Sequence, residues 1–472
     1  MVLVSEILKT IIQEGLHMFK NHAIQIIAPL LLGSVLAQEA SAAIYRPEGN
    51  VASLISAIGS ANASSEDDTI DLEGFIYELT AVDNSGNGDN GLPILTSGNG
   101  KLRIINGGIR RSRAGGTPDF RFFYIGAGAN LALYNVSLEN GATSGGAAVN
   151  DDSPGRLDVN TDGGAIYNLG TLSLENCLLA GNQAEDNGGA IYNEGLINNV
   201  DNCMIVQNLS ISSSGGAIYN AGTITGINKS TFSYNEAPLG DGGAIFNVTG
   251  SIGRIYNSAF DNNSSGSEGG GIYNGSTITT MSNCTMYLND TTDDGGAINN
   301  AGTMSIMNST ISTNLVGEGS SGAGIYNSGT INSLVSNIVA LNSADSQPDI
   351  DDAGTITSES HNLISDSDGN SIVDGVNYDI VTSNPVLIGL GDYQNNGGST
   401  PTMAPGPSSL AINNGQNPSH LDFDQRGPGY YRTVCALTDI GAFENQWCRG
   451  NPTDLDEEDG VGETEPLIGA SI

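Results

Sequence analysis

The chain has 472 residues, 65 of them glycine, with only 14% charged and a formal net charge of −37 at pH 7. So acidic a surface repels nucleic acid and anionic lipid, which excludes both as partners. Five cysteines without a CxxC pair carry no zinc signature, and four histidines leave little material for histidine-based catalysis.

In chain order, residues 1–42 read as an export signal. Lys20 precedes an apolar stretch from Ala23 to Leu36, and Ala40-Ser41-Ala42 is a small-residue cleavage pattern, with a cut after Ala37 as the alternative. Glu6 and Glu14 are out of place in a basic leader start, which points to Met18 as the first residue translated; a retained N-terminal helix is the competing reading. No other stretch is apolar enough to span a bilayer, so the mature chain is expected outside the cell without a transmembrane segment. Next, Val51, Leu54, Ile55 and Ile58 recur at helical spacing and predict an amphipathic helix over Val51–Ala61. A basic cluster follows: Lys101, Arg103, Arg110, Arg111, Arg113 and Arg121 either grip an anionic surface polymer or make a solvated turn.

From Gly163 one hexapeptide recurs: GGAIYN, GGAIYN, GGAIYN, GGAIFN, GGGIYN, GGAINN and GAGIYN. With its Ile as marker the steps are 25, 27, 27, 27, 26 and 27 residues. A second anchor reads Asn176, Asn202, Lys229, Asn257, Asn283, Asn308 and Ser336, and six residues beyond each stands Asn182, Asn208, Asn235, Asn263, Asn289, Asn314 or Asn342. Between these anchors Leu179, Ile205, Phe232, Phe260, Met286, Ile311 and Val339 form an apolar column. A small column of Cys177, Cys203, Ser230, Ser258, Cys284, Ser309 and Asn337 lies two places before it, giving the period of a strand. One coil offers too few apolar residues to bury alone, whereas stacked coils share a core and pair every backbone group with the coils above and below. The fold class is therefore all-β, a parallel β-helix of 25–27 residues per coil with the predicted helix lidding its first coil.

The repeats GGAIYN with Phe232-x-x-Asn235 and Phe260-x-x-Asn263 resemble those of polymorphic outer-membrane proteins. The block Asn384–Gly415, then DQRG (Asp424–Gly427), Arg432 and DIGAFE (Asp439–Glu444), resembles the choice-of-anchor Q domain of secreted bacterial β-helix proteins. SLISAIGSAN, DTIDL, GLPILT and NLALYNVSLENG resemble the usual opening of that family. The resemblance implies a right-handed single-chain β-helix at or beyond the cell surface, and it carries no catalytic residues to transfer. Its implied organisation is a β-helix with N-terminal cap over 43–343, terminal coils and a C-terminal β cap over 344–444, and an acidic flexible tail over 445–472. That tail departs from the family, whose members continue into an anchor. Release, another attachment route and truncation are the three explanations.

Several residues are candidates for chemistry. The hexapeptide's fifth position, Tyr167, Tyr192, Tyr219, Phe246, Tyr273 and Tyr326, with Asn299 interrupting, is either an outward ladder that contacts sugar or protein or a set of rings that merely stack. Asn160-Thr161-Asp162 and Asp293-Asp294 resemble fragments of polygalacturonase motifs, but GHG and RIK are absent, and Asp162, Asp241 and Asp294 repeat one turn. Asp366-x-Asp368-Gly-Asn370 has short calcium-loop character and is equally ordinary turn vocabulary, so no cofactor is expected beyond that weak calcium candidate. Cys435 and Cys448 are a candidate disulfide. Arg426 and Arg432 with Asp424, Asp439 and Glu444 are either a salt-bridged cap or solvated charges. The function read from the sequence is a non-enzymatic extracellular or cell-surface stalk, adhesin-like or structural. Its expected partners are surface polysaccharide or a host or neighbouring cell surface. The alternative is a polysaccharide lyase or glycoside hydrolase built on the same fold.

Overall fold

The computed structural model describes residues 42–98, 100–144 and 160–447. The expected export signal up to residue 41, the tail beyond 447 and Cys448 lie outside them. One coil shows how the rest is built. Ile191–Asn193 runs along one sheet, Leu196–Asp201 and Met204–Val206 along a second, and Leu209–Ser210 along a third. The three sheets hold 9, 23 and 6 strands, and every strand pairs in parallel with its counterpart in the neighbouring coils. Thus Ile191 stands over Ile218, Ile205 over Phe232 and Leu209 over Glu236. The protein is a parallel β-solenoid.

The corners follow from the repeated residue types. The anchor column from Asn176 to Ser336 takes left-handed backbone with φ between 47° and 58°, bending the long sheet between its two strands in each coil. Asparagine tolerates this region better than other non-glycine residues, which explains its frequency there. Gly188 is also left-handed, at φ 68°, whereas its neighbour Gly189 is small for another reason: a Cβ there would drive into the carbonyl oxygen of Gly216 in the next coil.

Inside, the apolar column from Leu179 to Val339 is fully buried, in one core that runs from the N-terminal helix to Ile372. That helix, α1 (Val51–Asn62), is N-capped by Asn50 and inserts Leu54, Ala57, Ile58 and Ala61 into the first coils. Burying Phe232 alone contributes about 1.5–3 kcal/mol. Polar ladders hold the corners of this core. Each Asn side-chain amide from Asn182 to Asn314 donates to the Oδ1 of the next Asn in the column at 2.8–3.0 Å, and Asn342 donates to Asp349 at 3.0 Å. A second ladder, from Asn168 through Asn193, Asn220, Asn247, Asn274, Asn300 and Asn327, ends on Asp352. Both run in one direction and both finish on a carboxylate, the one side chain that accepts without needing to donate onward. The small column is also polar in action: Ser230, Ser258, Ser309 and Asn337 accept the backbone N–H of the preceding coil, and Asn362 passes that ladder to Asp379.

Beyond the last coils the chain leaves the three-strand pattern. After the short helix α2 (Pro385–Ile388), a hairpin of Leu390–Gln394 and Thr402–Pro405 and the loops that follow lie along the flank of the solenoid. Tyr393 stacks on Tyr287 and donates to Asp261, Thr285 donates to Gln425, and Ala442 donates to Thr310. The outer residues of these coils, Ala259, Thr285, Thr310 and Ile338, are small or apolar and buried, and this block is what covers them. The motif charges are its internal frame. Asp424 pairs with Arg426 at 2.6 Å and Glu444 with Arg432 at 3.1 Å, all four of them buried, so the solvated reading fails. Arg426 lies between the Tyr430 and Phe443 rings, and burial pushes Glu444 up to about 8.

Burial also pushes Asp349, the terminus of the first ladder, up to about 6 from an ordinary 3.8. Between those values the folded protein keeps a proton that the unfolded chain has released, so stability falls as pH rises from about 4 to about 6. Asp349→Asn is expected to remove that part of the slope while still accepting from Asn342. Thermal melts across this window check it, and identical slopes for both proteins would contradict it.

Candidate functional site: the aromatic face

In the nine-stranded sheet, Ile of each hexapeptide points inward, the aromatic residue outward and the following Asn inward. Alternation along three residues thus sets apolar core, surface ring and buried ladder side by side. The rings form one pile. Tyr124–Tyr167, Tyr167–Tyr192, Tyr192–Tyr219, Tyr219–Phe246 and Phe246–Tyr273 have centroids 5.2, 4.7, 5.0, 5.2 and 4.9 Å apart. Asn299 then breaks the pile, and Tyr326 stands beyond the break. The pile begins one coil before the first GGAIYN, with Tyr124 of Phe123–Ile125. Sequence reading missed this member because its coil lacks the Gly pair, although RFFYIG carries the aromatic at the matching place.

Stacking decides what this face can offer. The flat sides of the rings are spent on one another; Tyr124, Tyr167 and Phe246 are buried, and solvent meets the ring edges and hydroxyls of the half-buried Tyr192, Tyr219 and Tyr273. Carboxylates flank those edges. Tyr192 donates to Glu194 at 2.8 Å. Burial, with Glu194 adding to it, pushes Tyr167 up to about 12. The residues before the Gly pairs, Asp162, Asn187, Ser214, Asp241, Glu268, Asp294 and Ser321, form a parallel row. Asp162 accepts the Asn187 N–H, Asp241 that of Glu268 and Asp294 that of Ser321, so these aspartates fasten one turn to the next. Glu268 stands between Asp241 and Asp294, half-buried, its acid raised first by desolvation and then by those neighbours. Asp293, paired with Asp294 in sequence, gives its backbone N–H to Ser267 and adds to the charge around Glu268.

Other candidates lie elsewhere. Within the basic cluster Arg103 pairs with Asp67 and Arg110 with Glu78 of the preceding coil and Arg111 with Asp119 of its own, while Arg113 donates to Asn140. Arg121 is fully buried beneath the aromatic pile, donates to the Asn160 carbonyl, and is lowered to about 10 by desolvation. Carboxylates thus stand opposite Arg103, Arg110 and Arg111, whereas Arg113 meets an amide. In the calcium-like loop, Asp366 accepts the Asp368 N–H and Asn370 that of Ile372, as in ordinary turns. Cys177, Cys203 and Cys284 are buried free thiols, and Cys435 is disulfide-bonded. Among the described residues no helix is long and apolar enough to cross a membrane.

Two stretches of the chain match a known repeat. Residues 176–194 and 257–275 fit the model of the Chlamydia polymorphic membrane protein repeat. Each matched stretch runs from a left-handed anchor, Asn176 or Asn257, through a ladder Asn, Asn182 or Asn263, to a Gly pair and a piled ring, Tyr192 or Tyr273. What is shared is the corner, the ladder and the aromatic strand. Comparison with curated proteins finds no match, and neither does comparison with solved structures.

Removing a middle ring deletes two stacking contacts. Tyr219→Ala is expected to destabilise the fold by about 1–3 kcal/mol, whereas Tyr326→Ala, outside the pile, costs less. Chemical denaturation of both variants checks this, and equal losses would show that stacking contributes nothing.

Proposed function

We propose that the protein is a cell-surface β-solenoid that acts by adhesion, meeting carbohydrate along the edge of its aromatic pile. One observation carries the reading: the continuous pile of rings from Tyr124 to Tyr273, of which Tyr192, Tyr219 and Tyr273 are partly exposed, with carboxylates along its edge. Hydroxyls, carboxylates and ring edges suit a hydroxyl-rich ligand, whereas the core is satisfied without any of them. The polymorphic membrane protein repeat supports display at an outer surface. A passive filament differs in having no saturable ligand.

A second reading rests on Glu268. A carboxyl with a raised pKa between Asp241 and Asp294 is the arrangement from which a glycosidase draws its general acid. Its carboxylate makes no hydrogen bond among the described residues, unlike the turn aspartates beside it.

A glycan array with the wild-type chain and with Tyr192→Phe/Tyr219→Phe separates these outcomes. The substitutions keep the stack and remove hydroxyls, so melting is expected unchanged and glycan retention reduced. Retention of no glycan by the wild type would contradict adhesion through carbohydrate. Release of reducing ends from a polysaccharide, abolished by Glu268→Gln, would replace adhesion by hydrolysis.

A further inference from the structure

The opposite, outward side of the long sheet carries a feature that the aromatic face does not explain. In Leu196–Asp201, Thr223–Asn228, Ser251–Tyr256 and Thr277–Ser282, two residues stand between the buried positions. In the coils on either side, Thr171–Glu175 and Thr303–Met307, only one does. Register shifts mark both boundaries. A β-bulge is thus stacked through four coils, is absent from the coil on either side and returns in Thr330–Val335. Bulges of this kind re-aim side chains and concentrate beside functional sites.

A groove of about 710 Å³ lies on this bulge, lined by Asn199, Asp201, Gly226, Asn228, Arg254 and Tyr256 among others. Gly226 is the telling residue. A Cβ there would meet nothing within 4 Å, so packing does not require a glycine at this place. Its effect is to leave the groove open. The polar walls are already positioned: Asn228 donates to Asp201 and accepts from Asn257, and Asn199 donates to the Leu174 carbonyl.

Arg254 is exposed and stands directly over Gly226. Among the described residues it is the one arginine with neither a hydrogen bond nor an ion pair, whereas Arg46, Arg103, Arg110, Arg111, Arg426 and Arg432 each face a carboxylate. Asp201 belongs to a coil two steps away, roughly 10 Å along the stack. Tyr256, unlike the piled tyrosines, shares its ring face with no other ring among the described residues. An open cleft with planar amides, a free aromatic face and an uncommitted guanidinium has the chemistry that recognises a sugar chain bearing carboxylates. The protein's overall negative charge does not forbid this, since screening over about 8 Å at physiological salt leaves the groove's own groups to decide.

We propose that this groove binds an extended acidic oligosaccharide, with Arg254 pairing a sugar carboxylate and Tyr256 packing on a pyranose face. The proposal deepens the carbohydrate reading but uses a different face. An array holding uronate-bearing, sialylated and neutral oligosaccharides tests it on the full chain. Acidic glycans are expected to be retained. Arg254→Gln is expected to weaken them about tenfold or more, and Gly226→Leu, which fills open space, to do the same with unchanged melting. Tyr192→Phe/Tyr219→Phe should leave this binding intact. Retention of no acidic glycan, equal retention of neutral ones, or indifference to both groove substitutions would overturn the proposal. Loss confined to the tyrosine variants would overturn it while leaving the aromatic-face reading in place; loss confined to the groove variants would do the reverse.

Discussion

Every feature of this molecule depends on one constraint: each residue type must sit on its own copy in the next coil. Parallel pairing satisfies the backbone, but it leaves buried corners where the chain turns and polar groups have no strand partner. The Asn ladders solve that problem. Asn182 gives its amide to Asn208, Asn208 to Asn235, and so on to Asn342, with the backbone N–H of each coil also taken by the next Oδ1. An unpaired buried amide costs about 1–3 kcal/mol per group, so a coil lacking its Asn would strand donors from one neighbour and acceptors from the other. The same logic explains why the ladders close on Asp349, Asp352 and Asp379 where the regular coils end.

Because corners and core are settled by these columns, the outward positions are free to vary, and there the two faces diverge. On one, aromatic residues pile until Asn299 interrupts them. On the other, an extra residue per coil and two glycines hollow the surface. The second strand that each middle coil gives the long sheet is not free. The C-terminal block lies along it and buries Tyr393, Gln425 and the paired Arg426 and Arg432 against or beside four coils. Over its middle coils the solenoid therefore presents to the medium the aromatic sheet, the bulged strands and the six-stranded sheet, where Gln183, Glu236 and Leu315 are exposed.

Much of this was legible in the residues because periodicity writes the same environment repeatedly. The apolar column, the left-handed anchors, the Gly pairs and the first Asn ladder each recur at a fixed offset, and one misplacement would have shown. The second ladder, from Asn168 to Asn327, stands in plain view inside the hexapeptide, but its inward aim depends on where the strand starts. The bulge was also present, as 11 or 12 residues from the hexapeptide Ile to the anchor in four coils against 10 in the coils on either side, yet a length difference does not say which strand absorbs it. The C-terminal block could not be placed, because its contacts join residues 140 apart without any repeat to set their register. The charges within it were recognisable as a group, and only burial distinguishes a network from surface decoration.

The central claim is the stacking register itself, and proximity across coils measures it directly. In a protein labelled at isoleucine methyls, Ile218 and Ile245, which stand opposite each other in adjacent strands, should give a strong through-space cross-peak, as should Ile191 and Ile218. Absence of both, with cross-peaks only between sequence neighbours, would contradict a solenoid in which like lies on like.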